Sequence, residues 1–402
     1  MNTRNTNSVR LLPRLTAGLL LSLAGTVPAL GQAAFDSGSD GSYGDLIVTN
    51  NTVLQPPANG IFNCRSIYVT NGVRLDFEHN AANTPIFLLS KGDVNINGEI
   101  HLDGSQGNGS IGGLGGPGGF SGGQPGFGII PPGAGQGPGG GLGGVNSGGN
   151  ETNGAGGGGY ILRSTWGAST NQGLPYGTPV LIPLVGGSGG GGTIGLNGEP
   201  GAGGGGGGGA ILIASNTQLI FGNGGFVTAY GGARNSSPNG GSGGAIRFVA
   251  PKIIGIVRGY VNAESDVASP GRVRIDTADA SQMGTDIRPA YTASLGSFLV
   301  TGLSTNLPRL SIVQVAGTSI PAGQTDPVSI LLASGTSPSQ TVTVHAQNFG
   351  AKVPINVVLS PSNGDPVVFA ADIDNSVNNP ASATVNVTIP INQPVTLNVW
   401  TR

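Results

Sequence analysis

Glu99, His101 and Asp103 occupy alternate positions of the run GEIHLDG, Gly98–Gly104. In an extended strand, alternate side chains share one face, so two carboxylates and an imidazole would stand side by side. Such a set can position an acid and a base, as polysaccharide cleavage requires, or hold sugar hydroxyls. Two further runs offer neighbours of the same kind. FVTAY places Phe226, Thr228 and Tyr230 together, and YVNAE places Tyr260, Asn262 and Glu264. Stacked as neighbouring strands, the three runs would lie about 4.8 Å apart. Glu99, His101, Asp103 and Glu264 are then the candidates for catalysis, and Tyr230, Tyr260 and Asn262 for ligand contact. The plainer alternative is a solvated face, since any layered β-protein must set polar residues outside.

Arg247, Arg272 and Arg274 cluster in sequence with Asp276 and Asp279. Elimination across a uronic acid wants such a base with carboxylates nearby, often with calcium, so Arg247 and Arg274 join the ligand-binding candidates. Their spacing fits no calcium loop. DSGSDGSYGD, Asp36–Asp45, leaves room for calcium among three aspartates, yet lacks the EF-hand spacing and its closing glutamate. An N-terminal cap is the preferred reading there, and no other cofactor is expected. Cys64 is the single cysteine, so no intramolecular disulfide can form, and a small buried apolar role is expected. His79 and His345 have no evident partners. No Gly-x-Ser-x-Gly elbow stands between a strand and a helix, and no glycine run opens a helix to bind a nucleotide. These sets compose no complete catalytic group, and the reading leans against an enzyme.

The elements that must carry these residues are strands. Charged residues are 9% of the chain and glycine supplies 77 of 402 positions, while Val, Ile and Thr abound. PIFLLSKGDVNINGEIHLDG (Pro85–Gly104) resembles AILIASNTQLIFGNGGFVTAYGG (Ala210–Gly232) and AIRFVAPKIIGIVRGYVNAES (Ala245–Ser265). SIYVTNGVRLDF, from Ser66, and GRVRIDT, from Gly271, are partial copies. Repetition at this scale marks a repeat architecture. Alternation aligns Ile86, Ile211, Ile246 and Val273 inward, then Leu88, Ile213, Phe248 and Ile275. In the third run it aligns Ile100, Val227 and Val261, then Leu102, Ala229 and Ala263. The expected fold is all-β: a right-handed parallel β-helix, or β-solenoid, over residues 32–300, each rung burying its inward residues on the next.

Residues 105–209 hold more than half of the glycines and must be an insertion between two rungs. The outward positions next to it carry Phe87 and Leu212, which the insertion is expected to cover, whereas later rungs expose Arg247 and Arg274. GGLGGPGGF, Gly112–Phe120, has glycine at every third residue, which suits three-residue-per-turn packing; plain disorder is the other reading. From residue 305 to 402, short strands parted by turns predict a small immunoglobulin-like β-sandwich. PVSILLASG, QTVTVHAQNFG, KVPINVVLSP, ATVNVTIP and QPVTLNVWTR are its expected strands, with Trp400 in its core.

Residues 1–31 read as a secretory leader. Arg4, Arg10 and Arg14 precede a short apolar run, and Ala29-Leu30-Gly31 suits cleavage before Gln32. The protein is therefore expected outside the cell or on its surface. Loss of the leader takes the formal net charge from −2 to −5, which argues against a nucleic-acid partner. No apolar run is long enough to span a membrane, and no sorting motif precedes Arg402.

FDSGSDGSYGDLIV, TPIFLLSKGDVNINGEIHLDGSQG and GSGGAIRFVAP together resemble glycine-rich exported bacterial β-solenoid proteins of unknown function, over about residues 35–276. More loosely, the repeat resembles pectinase-like β-helix proteins, whose catalytic aspartate and lysine or arginine signatures are not found here. The resulting expectation is a secreted or cell-surface structural, adhesin-like protein that contacts polysaccharide or extracellular matrix. The alternative is a β-helix polysaccharide lyase or glycoside hydrolase.

Overall fold

The computed structural model describes residues 35–146, 154–164, 170–232, 239–261, 268–297, 306–321, 324 and 327–402. The expected leader, Asn262 and Glu264 lie outside the described residues. The described chain is all-β without an α-helix, and among these residues no helix is long and apolar enough to cross a membrane.

One parallel sheet of thirteen strands dominates. Its first strands are β1 (Gly44–Val48), β2 (Thr52–Leu54), β3 (Ile61–Val69), β4 (Arg74–Phe77), β5 (Ile86–Ser90), β6 (Val94–Ile96) and β7 (Glu99–His101). Two short strands, β8 (Gly144–Asn146) and β9 (Thr193–Gly195), pair with each other inside the glycine-rich segment. The large sheet resumes with β10 (Ala210–Ser215), β11 (Gln218–Phe221), β12 (Phe226–Thr228), β13 (Ala245–Tyr260), β14 (Arg272–Arg288) and β15 (Thr292–Leu295).

The register carries out the alternation read from the sequence. Ile211 lies between Ile86 and Ile246, and Ile246 pairs with Val273. Leu88, Ile213, Phe248 and Ile275 follow in the same way. All eight are buried in one cluster with Val94, Leu219, Ile253, Ile100 and Val227. Cys64 belongs to it too, and burial, with a smaller push from Asp45, raises its thiol to about 12. The β-branched residues that fill these strands suit a pleated, packed surface.

The third run departs from its expected alignment. Val227 pairs with Gly259, not Val261, and Thr228 pairs with Tyr260. The cause is a corner. Residues 222–225 turn between β11 and β12, whereas β13 passes Gly255 and Ile256 without a break. Between Phe221 and Val227 the chain therefore uses two more residues than between Gly255 and Gly259.

The glycine-rich segment is packed, not disordered, through its described residues. Its last run, Gly203–Gly209, donates hydrogen bonds in three directions with a period of three. Gly203, Gly206 and Gly209 donate to the carbonyls of Asn108, Ser105 and Leu102. Gly204 and Gly207 donate to Gly123 and Phe120, and Gly205 and Gly208 to Asn239 and Ser242. Its carbonyls accept in three more directions: Gly204 and Gly207 from Gly113 and Gly116, Gly205 and Gly208 from Gly190 and Gly187, and Gly206 from Gly232. A three-residue repeat without internal hydrogen bonds is the polyproline-II type of chain. With no side chains, it bonds all seven of its N–H groups and the carbonyls of Gly204–Gly209 sideways. Leu184 and Leu181 of this segment cover the outer side of β10 and β13, and Leu212 is buried as expected.

The C-terminal strands are β16 (Arg309–Val315), β17 (Thr318–Ser319), β18 (Ser339–Gln347), β19 (Lys352–Pro361), β20 (Val367–Asp374), β21 (Ala381–Thr388) and β22 (Val395–Thr401). They form antiparallel sheets of four and three strands around one core, with Val342 and Val344 from one sheet and Ile355 and Val357 from the other. Pro327–Gly335, expected as a strand, pairs with no strand among the described residues, and Leu331 there is fully exposed. Trp400 is not sealed in this core. Its ring meets Phe120 of the glycine segment edge-on at 6.0 Å. Beyond the other end of β19, Asn363 Nδ2 donates to the Pro131 carbonyl at 2.9 Å.

Candidate functional site

The outward positions of β4, β7, β12, β13 and the end of β14 form the candidate site. Arg74 pairs in register with Glu99, Glu99 with Phe226, His101 with Thr228, Thr228 with Tyr260, and Tyr260 with Arg288. Each strand buries its middle residue, Leu75, Ile100 or Val227, which forces the flanking side chains outward.

Glu99, His101 and Asp103 converge. His101 Nε2 lies 2.9 Å from Glu99 Oε2, and Nδ1 lies 3.1 Å from Asp103 Oδ2. Thr228 Oγ1 is also 3.1 Å from Nδ1, and the Tyr230 backbone N–H donates to Asp103 Oδ1 at 2.8 Å. The Phe226 ring stands edge-on to the imidazole at 5.6 Å. Tyr230 and Tyr260 lie nearly parallel, 7° apart with centroids at 6.4 Å. Tyr260 donates its hydroxyl to Asp286 at 2.6 Å, which raises the phenol pKa. Arg288 sits over the Tyr260 ring at 5.9 Å.

Burial is the largest single influence on His101 and disfavours its charged form. The hydrogen bonds with Asp103 and Glu99 together outweigh it and hold the pKa above 6.5. A histidine raised on folding adds stability that is full below its unfolded value of about 6.5 and is lost as pH rises through the folded value. The melting temperature should fall across that interval, and His101→Asn should remove the slope. A wild-type melting temperature that stays flat there would show that the two carboxylates do not hold the proton.

Arg247 and Arg274 are corrected. Expected as exposed ligand contacts, they are 1% and 6% accessible. Arg247 Nε and Nη2 donate to Asp276 Oδ2 at 3.1 and 2.9 Å. Arg274 Nε and Nη2 donate to Oδ1 at 3.0 and 2.7 Å, and Nη2 also reaches Ser294. The outer face of this part of the sheet is covered, with Leu184, Phe35 and Leu307 packed along it, so the arginines turn to the buried carboxylate. Arg272 lies instead over the Tyr160 ring, and Asp279 pairs with Lys252.

The aspartates near the start do not converge either. Asp36 and Asp40 accept the backbone N–H groups of Gly38 and Ser42, and Asp45 pairs with Arg65. Among the described residues no three His, Cys, Asp or Glu side chains are placed to hold a metal ion.

The structure adds residues that the sequence reasoning passed over. Arg74 chelates Asp76 at 2.7 and 2.6 Å on the strand before His101, and Arg258, Asp286 and Arg288 border Tyr260. Alternation about Val73, Leu75 and Phe77 was signal enough for Arg74 and Asp76. For Arg258 the signal was hidden by the shortened corner. In comparisons with known proteins, no family model, no curated protein and no solved structure matches this chain.

Proposed function

We propose that this is a secreted or cell-surface structural, adhesive protein whose aromatic face contacts polysaccharide. The stacked parallel rows are read as rungs of a right-handed β-solenoid that serves as a shaft, with the glycine segment as a rigid packed insertion. The C-terminal sheets are read as an immunoglobulin-like β-sandwich for attachment.

One observation carries the polysaccharide reading. Phe226, Tyr230 and Tyr260 stand half-buried beside Glu99, His101 and Asp103, on a face where the ionisable groups already bond to one another. Rings with an apolar body and polar neighbours suit the faces and hydroxyls of sugars. Both carboxylates are spent on one imidazole, which favours holding a saccharide over cleaving it.

The test is retention of the full chain on insoluble neutral and acidic polysaccharides, with assay of released reducing and unsaturated ends. Binding without turnover is expected, weakened about tenfold or more in Tyr260→Ala, as for a central aromatic contact. No retention on any matrix would refute the reading. Turnover abolished in Asp103→Ala would replace it with an enzyme.

A further inference from the structure

We infer that Asp103 is the ligand-facing acceptor of this surface, for a neutral, hydroxyl-rich saccharide, and that His101 is the positioning residue that sequesters it while protonated. The ligand half rests on the polysaccharide reading above; the proton clamp does not.

His101 is faced by Glu99 and Asp103 from its own run, by Arg74, itself paired with Asp76, from the strand before, and by Phe226 and Thr228 from the strand after. Arg74 is committed to Asp76 through Nε and Nη2. A carboxylate can only accept. With a carboxylate at each ring nitrogen, only the imidazolium donates to both.

When the proton leaves, one nitrogen must become an acceptor, and the two are not equivalent. Among the described residues Nε2 is bonded only to Glu99, which has no proton to give. Nδ1 faces the Thr228 hydroxyl at 3.1 Å, which can rotate to donate. The neutral ring therefore keeps Nε2–H on Glu99 and accepts from Thr228 at Nδ1. Asp103 Oδ2 loses its donor, while Oδ1 stays anchored by the Tyr230 N–H. The result is a carboxylate fixed by the Tyr230 backbone, with one oxygen that has no donor among the described residues. That oxygen suits a sugar hydroxyl. The same step adds one negative charge to the face and so disfavours uronates.

The experiment uses the full chain with 15N-labelled histidine. Only His79, His101 and His345 give ring signals, and the other two serve as references. Raising pH through the His101 midpoint should yield the Nε2–H tautomer. Thr228→Val should yield the Nδ1–H tautomer instead, because Nδ1 then keeps its proton for Asp103 and Glu99 is released. A wild-type Nδ1–H tautomer, or a variant tautomer unchanged from wild type, overturns the clamp.

Binding of cellohexaose should tighten about tenfold above the midpoint, the scale of one hydrogen bond to a charged group. Hexagalacturonate should gain nothing, and Asp103→Asn should flatten the cellohexaose profile. With the tautomers as expected, absence of cellohexaose binding at every pH overturns the ligand half and leaves the clamp in place.

Discussion

Gly206→Ala is expected to destabilise the fold by about 3 kcal/mol or more, as overpacking against an unyielding neighbour does. A methyl at Gly206 would lie 2.0 Å from the Leu114 carbonyl oxygen and 2.4 Å from its carbon. Those atoms are backbone, so no rotamer change can relieve the clash. Nor can the neighbour step aside freely. Gly113 and Gly116, which flank Leu114, donate to Gly204 and Gly207, the residues two before and one after the substituted position. Moving one chain away breaks a series of such bonds, because each chain in the bundle is held by its neighbours at every third residue.

The sign is what makes the test sharp. Alanine for glycine in a compatible conformation stabilises by about 0.4–1 kcal/mol by restricting the unfolded chain. Gly109, in the same segment, would carry a methyl with none of the described residues within 4 Å and has no positive φ. Gly109→Ala should therefore melt at or slightly above the wild-type temperature, and Gly206→Ala far below it. Amide exchange at Gly116 and Gly207 should accelerate only in the second variant. Equal melting of all three proteins would contradict the close packing.

The contrast also shows why this segment was half legible. The three-residue period in GGLGGPGGF is visible, and it permits the observed packing. What chooses packing over disorder is the set of partners: Leu102–Asn108 before the run, residues 117–123 beyond the first turn, and Asn239–Ser242 after it. Those partners are brought in by chain segments far apart in sequence, which no local pattern reports. The inward rows were legible for the opposite reason, since Ile86, Ile211 and Ile246 repeat a local alternation with enough spacing information to align them.

Spacing failed where a corner changed length. Treating the copies as equal in length put Tyr260 beside Phe226, whereas the short corner at Gly255 moves it beside Thr228. Glu99, His101 and Asp103 come together as alternation placed them, because all three sit within five residues of one strand and its end, where no corner intervenes. At the C-terminus, Val367–Asp374 was missed and Pro327–Gly335 was expected in error. The first pairs along its length with β19, while in the second only Ile330 packs on the core. Apolar content without an edge to pair with does not make a strand.

Asp276→Ala is expected to cost about 3–5 kcal/mol, the scale for removing one partner from a buried ion pair. Asp276 is fully buried, and its two oxygens take four N–H donors from Arg247 and Arg274. Without it, two guanidinium groups at most 6% accessible face each other with no anion between them. Arg247 already feels the strain of its position, since burial lowers its pKa ahead of the opposing pull of Asp276. Asp276→Asn should do little better, because an amide offers one oxygen where the network uses two and turns N–H donors toward cations. The informative comparison is a triple change, Arg247→Leu with Asp276→Val and Arg274→Met. Along this face the rows before carry Phe87 and Leu212 opposite the arginines, and Leu89 and Ala214 opposite Val249 and Asp276. An apolar continuation of those ladders fits the site, and replacing a buried ion network by packed apolar groups is often neutral or stabilising. Thermal and urea melts should therefore show the single variant falling and the triple variant recovering to near wild type. Retention on polysaccharide should follow stability alone in both. If instead the stable triple variant lost binding, the arginines would be ligand contacts after all, and the covered outer face of β10 and β13 would have to open in solution.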